Sequence, residues 1–268
     1  MSRNRVARWL IAVVIWGLAP PPAAAADLTG AAIRAYDEYL AGARQAFLAL
    51  ATSAAPASRT EEDARRAAGG LVQPGSGDGI LANPDSLVHH WRGEIFLSGV
   101  TLDQVLAVSQ AYATYPRIFK PVRSVTLLPP SEDALHVQFR MKSSAGGFSA
   151  TLDMRSRIQW TRPDARRAYV VSASEEIREV VNAGRANERA LPAGHDSGYL
   201  WRAASMTRFV AGNGGVWMAM ETVGLSRPFP ALLGWMLEPF ARRIGRNSVE
   251  ASMREFAQAV LDRDKLAP

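Results

Sequence analysis

The sequence predicts an α+β fold in which a curved antiparallel sheet of about seven strands is wrapped on a long C-terminal helix, with an extra helix near the N-terminus. Three observations carry this. Residues 87–227 hold seven segments of strand character, the first followed by two short helices and the other six joined mostly by short turns, and consecutive strands joined by short turns pair antiparallel. Residues 148–161 alternate cleanly, with Ala150, Leu152, Met154, Ile158 and Trp160 on one face and Thr151, Asp153, Arg155, Arg157 and Gln159 on the other, the mark of a strand buried on one side only. The chain then ends in Leu232, Leu233, Met236, Leu237, Phe240, Ile244, Val249, Met253, Phe256 and Val260, whose spacing predicts a helix long enough to cover that apolar face.

From the start of the chain, Arg3, Arg5 and Arg8 precede an apolar run from Trp9 to Leu18. Pro20-Pro21-Pro22 and Ala23 to Ala26 follow. This is the tripartite pattern of a cleavable signal peptide, with the cut expected between Ala26 and Asp27. The apolar run is about half the roughly 20 residues that a membrane span needs. Residues 1–26 are therefore expected to be removed on export, leaving a periplasmic or secreted protein.

The 31 Lys and Arg residues exceed the 25 Asp and Glu, a formal charge of +6, and losing the three arginines of the leader halves that excess. The basic residues are scattered, not gathered in the stripe of a nucleic-acid binder, so no nucleic-acid partner is expected. A transient contact with an anionic membrane surface remains compatible with the charge. The chain has no cysteine, which excludes disulfides and thiolate metal sites.

Residues 27–51 read as a helix. Thr29 is its N-cap, and Ile33, Tyr36, Leu40, Ala43, Phe47 and Leu50 recur at helical spacing. Residues 52–85 are polar and glycine-rich and read as a linker. Its Gly75/Gly77 run is no phosphate loop, because no strand precedes it and no Lys-Ser/Thr pair follows. A folded domain is expected over 86–262.

The domain opens with a strand from Leu87 to Leu97. Thr101 and Gln104 then form a capping box for a helix carrying Leu102, Val105, Leu106 and Val108. A short helix around Tyr115 stops before Pro121. Strands follow at 122–128, 135–142, 148–161, 167–181, 198–211 and 216–227, the first turned by Pro129-Pro130. Pro239 and Gly245 are expected to kink or split the final helix.

The stretch from Val88 through Gly93-Glu94-Ile95-Phe96 to Leu106, together with Gly198-Tyr199-Leu200-Trp201-Arg202, Leu225-Ser226-Arg227 and Leu233-Gly234-Trp235, is similar to a group of uncharacterised exported bacterial START-like proteins. The resemblance covers residues 86–262, and it implies the helix-grip fold of the START-like (SRPBCC) superfamily. It also implies a cavity between sheet and C-terminal helix, which relatives use for lipids, sterols, quinones or polyketides. Some relatives are cyclases or hydratases.

The side chains expected to line that cavity are Phe139, Met141, Leu152, Met154, Trp201, Met218 and Met220 from the strands and Met236 and Phe240 from the helix. Methionine adapts its shape to irregular apolar ligands. Glu175 alternates with Tyr169, Val171, Ala173 and Ile177 and is the expected polar group of the cavity. Glu221 alternates with Trp217 and Val223, and a cross-strand pair with Arg202 is expected. His89 and His90 are adjacent on a strand and point to opposite faces, so they cannot share a metal. No metal site, cofactor or catalytic set is expected. The leading reading is a non-enzymatic binder or carrier of an apolar small molecule. The alternatives are a cyclase- or hydratase-like enzyme using Glu175 or His195 as acid or base, and an interaction module with a filled core.

Overall fold

The computed structural model describes residues 26–53, 67, 69–145, 148–228 and 234–263. The expected leader, apart from Ala26, lies outside the described residues.

Strand β1 (Ala26–Asp27) leads into helix α1 (Gly30–Thr52), whose first turn is capped by Thr29 Oγ1 accepting the Ala32 N–H at 3.1 Å. Strands β2 (Leu71–Pro74) and β3 (Ile80–Asn83) precede the first long strand, β4 (Ser86–Ser98). Helix α2 (Leu102–Gln110) starts at a complete capping box between Thr101 and Gln104. A 3-10 turn (Tyr112–Thr114) and the short α3 (Tyr115–Ile118) follow. Strands β5 (Val122–Ser131), β6 (Ala134–Ala145), β7 (Phe148–Asp164) and β8 (Arg167–Val181) form a meander, and the short β9 (Arg189–Ala190) and β10 (His195–Asp196) lie in the next loop. Strands β11 (Arg202–Gly212) and β12 (Gly215–Ser226) complete the sheet before helix α4 (Gly234–Leu261).

The main sheet runs β2-β4-β12-β11-β8-β7-β6-β5, all antiparallel, with β3 beside β2 along the free edge of β4. The first long strand therefore lies against the last, and α2 and α3 carry the chain from β4 to β5 on the opposite edge. Seven long strands and the C-terminal helix make the helix-grip fold that the START-like resemblance implies. A single helix runs through Pro239 and Gly245.

The two faces are covered differently. On the inner face, Val249, Met253, Phe256 and Val260 of α4 pack with Trp91, Ile95, Phe209, Met218 and the apolar side of α2. Close approach depends on Gly245, where a Cβ would lie 2.4 Å from Trp91 Nε1. On the outer face, Tyr36, Phe47 and Ala51 of α1 pack with Val88, Met206, Val223 and Leu225. The Tyr36 hydroxyl donates to the Val223 carbonyl at 3.1 Å.

Three expectations are corrected. Helix α1 is no appendage outside the domain but covers its outer face over β4, β8, β11 and β12. The stretch read as a linker supplies β2 and β3, which are only four residues each (Leu71-Val72-Gln73-Pro74 and Ile80-Leu81-Ala82-Asn83) and set among glycine-rich turns, too short to give a strand signal of their own. Gly75 reaches the His90 carbonyl through its N–H at 2.9 Å, and any side chain there would strike the His90 ring. Strand β5 continues through Pro129-Pro130, because on an edge strand a missing N–H breaks no ladder.

Candidate functional site

Alternation and register place six of the nine expected lining residues on the inner face. Phe139 stands opposite Met154, Met141 opposite Leu152, and Met154 in turn opposite Ile177. Met218 stands opposite Ile95 and Phe209, and Met220 opposite Gly93 and Thr207. Their surroundings differ. Phe139 is buried with Tyr112, Val122, Val137 and Ile158, Leu152 with Ala150 and Ile177, and Met218 beneath α4. Met141, Met154 and Met220 are only half-buried. The side chains of Met236 and Phe240 lie outside the described residues.

Trp201 is elsewhere. It precedes β11, is fully buried in the outer-face cluster under α1, and donates its indole N–H to Asp196 Oδ1 at 3.0 Å. The expected strand start at 198 fails because Gly198 takes a positive φ of 69° and turns the chain first. That turn removes Trp201 from the alternation of β11.

Glu175 is also misplaced by the expectation. The pairing of β7 with β8 shifts between Arg155 and Ser156, where Glu175 is the extra residue of a bulge. Glu175 stands on the outer face in alternation with Ala173 and with Tyr169 and Val171, which face α1, and the phase changes only beyond the bulge, so Ile177 stands on the inner face. It pairs there with Arg155 at 3.0 Å and with His136 Nδ1 at 3.1 Å. His136 Nε2 lies 3.1 Å from Ser131 Oγ, which completes a Ser-His-Glu chain. The same Ser131 Oγ donates to Asp133 Oδ1 at 3.4 Å, so its proton is shared with a second acceptor besides His136. The chain ties the β5–β6 hairpin to β8.

His195 is on the surface, with Nδ1 2.7 Å from Asp27 Oδ1. Glu221 is on the outer face as its alternation predicts, but its arginine is Arg92 of β4, at 3.1 Å, and not Arg202, which stands opposite Leu225. Among the described residues no group of three or more His, Asp or Glu is placed to hold a metal ion.

Sequence reasoning missed the polar content of the inner face, a band of hydroxyls. Ser172 of β8 stands opposite both Ile158 of β7 and Ser205 of β11, and Ser205 stands opposite Thr222 of β12. One row away, Ser156 stands opposite Ser174. Thr207 follows Ser205 on the same face. The signal was obscured because Tyr169 and Val171 of β8 face α1. With apolar residues on both faces, alternation alone could not say which was inner. His89 ends the row of Ser174, its Nε2 2.8 Å from Ser226 Oγ, and burial lowers its pKa to about 4, so it is neutral near pH 7.

A cleft of about 400 Å³ opens beside this face, between Leu106, Ala107 and Gln110 of α2 and Trp160 and Ala168 of the sheet. Arg162 and Asp103 pair across it at 2.7 Å. Among the described residues no helix is long and apolar enough to cross a membrane.

No family model matches the chain, and no curated protein does. Solved structures similar to it include human StAR-related lipid transfer protein 5, at 12% identity over 85% of this chain and 98% of that one, with a TM-score of 0.46. The STAR-related lipid transfer protein of Xanthomonas axonopodis is similar at 15% identity over 70% of this chain and 98% of that one, with a TM-score of 0.40. The Zhui aromatase/cyclase of a Streptomyces species is similar at 16% identity over 66% and 94%, with a TM-score of 0.39. These are likenesses of architecture, at identities that carry no activity with them.

Proposed function

We propose that the protein is exported and binds an apolar small molecule between the inner face of the sheet and the C-terminal helix, carrying it without chemical change. One observation carries the binding reading. Met154, Val170, Ser172, Ser205 and Met220 belong to interior strands and stand on the face turned toward α4, yet all are half-buried. A close-packed core leaves such positions sealed. The described apolar side chains of α4 gather over β4, Phe209 and α2, and the clusters that hold Met154 and Leu152 contain none of them. Space over β7, β8 and β11, walled by methionine and aromatic side chains, suits a flexible or irregular apolar ligand. The cleft beside α2 ends on Trp160 and offers a route in. Export is supported by the basic, apolar and alanine-rich segments of residues 1–26, and a brief contact with a membrane surface is the natural place for loading.

Native mass spectrometry of the protein purified from the envelope fraction of its own cells tests both parts. The expected result is a polypeptide beginning at Asp27 that carries an additional mass extractable into organic solvent. A bare polypeptide with no thermal stabilisation by any member of a lipid panel overturns the binding reading. A chain still bearing residues 1–26 overturns the cleavage.

A further inference from the structure

We infer that the ligand is uncharged and carries a carbonyl or hydroxyl oxygen, which the hydroxyl band of the inner face receives; this rests on the binding reading above and narrows it. The band is continuous. Ser172, Ser205 and Thr222 are successive cross-strand neighbours on β8, β11 and β12, and Thr207 and Ser174 lie one row to either side. Cross-strand neighbours hold their Cβ atoms about 5 Å apart, so adjacent hydroxyls can address one small polar group together. Apolar residues bound the band on both sides, Met154 and Ile177 toward one end of the strands and Met220 and Phe209 toward the other.

Hydroxyls turned into a protein interior are normally hydrogen-bonded, because burying one without a partner is unfavourable. Ser174 Oγ accepts the Ala203 N–H at 2.9 Å. Among the described residues, the side chains of Ser172, Ser205, Thr207 and Thr222 make no hydrogen bond, and three of the four remain half-buried. Their capacity is available to whatever fills the space above them. A hydroxyl both donates and accepts, so the band matches a carbonyl as well as an alcohol.

The charge follows from what is absent from these rows. Among the described residues, the rows running from Trp160, Ile158 and Ser156 across to β4 contain one titratable side chain, His89, which burial keeps neutral. Glu221 and Arg208, next in sequence to Thr222 and Thr207, stand on the outer face with Glu175, Arg155 and Arg157, and Glu179, opposite Leu152 further along the inner face, accepts the Ser197 N–H. A carboxylate or phosphate placed against the band would lose its water without gaining a counter-charge.

Three probes with one chain and different heads decide the matter: dodecane, 1-dodecanol and dodecanoate. Each is added to the chain starting at Asp27 and its affinity read from the rise in melting temperature, since a ligand of the folded state stabilises by mass action. The inference expects 1-dodecanol to bind about five- to tenfold more tightly than either of the others, the worth of one or two net hydrogen bonds. It also expects the double variant Ser205→Ala, Thr222→Val to bring 1-dodecanol down to the level of dodecane while dodecane itself is unaffected. The same melts report whether the variant is folded, and Ser205→Ala alone serves if the double variant is not. Equal binding of all three probes, preference for dodecanoate, or an unaltered response of the variant overturns this inference and leaves the binding reading standing. No stabilisation by any probe overturns the binding reading, and this inference with it.

Discussion

Replacing Trp201 by alanine is expected to destabilise the fold by about 3–5 kcal/mol, the range for removing a large aromatic from a closed core. The indole is 2% exposed and packs among Tyr36, Phe47, Val88, Met206 and Val223. It is therefore held by α1, β4, β11 and β12 at once. Its N–H and the Gly198 N–H at 2.7 Å are the donors that reach Asp196 Oδ1, and burial raises the pKa of that carboxyl. Truncation thus opens a void under α1 and also removes one of the two hydrogen bonds that compensate a buried carboxylate. Ligand affinity measured well below the melting temperature should be unchanged, because the residue is on the far side of the sheet from the proposed site. Urea unfolding and the probe titration read the two effects separately. A variant as stable as the parent would mean that the indole does not seal the space under α1, and one stable but unable to bind would place Trp201 in the ligand space.

That separation of faces marks the boundary of what the sequence makes legible. Elements defined by local chemistry are readable from it. The Thr101–Gln104 capping box forms, Thr29 caps α1, and the alternation of β7 puts Leu152, Met154, Ile158 and Trp160 on one face. Properties that depend on a distant partner are not. The edge strands β2 and β3 exist because β4 has a free side, which no local pattern records. The bulge at Glu175 is a property of the pairing between β7 and β8, and it brings Ile177 to the inner face while Glu175 stays on the outer face with Tyr169 and Val171. The same principle explains the hydroxyl band. Serine and threonine look like solvent-facing residues when α1 is not yet known to cover the other side.

The outer face holds the second large expected effect. Glu221 of β12 lies 7% exposed beneath α1, with His90 Nε2 at 3.2 Å and Arg92 Nε at 3.1 Å. On the other side of the imidazole, Nδ1 is 2.7 Å from the Tyr39 hydroxyl of α1. With its proton on Nε2, His90 donates to Glu221 and accepts from Tyr39, so one chain of bonds joins α1 to β4 and β12. Glu221→Ala leaves a buried imidazole N–H without its acceptor and Arg92 without its counter-charge. The expected cost is about 3–5 kcal/mol, the range for breaking a buried pair from one side, and nearer the lower figure because Arg92 can turn to water. Glu221→Gln keeps the shape and removes the charge, so it isolates the pH dependence. Burial by itself would raise the Glu221 pKa. The hydrogen bond from His90 and the charge of Arg92 outweigh burial and hold the carboxyl below its ordinary 4.5. A folded-state pKa below the unfolded one contributes stability that is full above the ordinary value and lost as the pH falls through the folded one. The parent should therefore lose stability between about pH 5 and about pH 3 more steeply than Glu221→Gln. Urea titrations at those two limits measure the difference, and equal slopes would mean that the fold leaves the Glu221 pKa at its unfolded value, its partners only offsetting its burial.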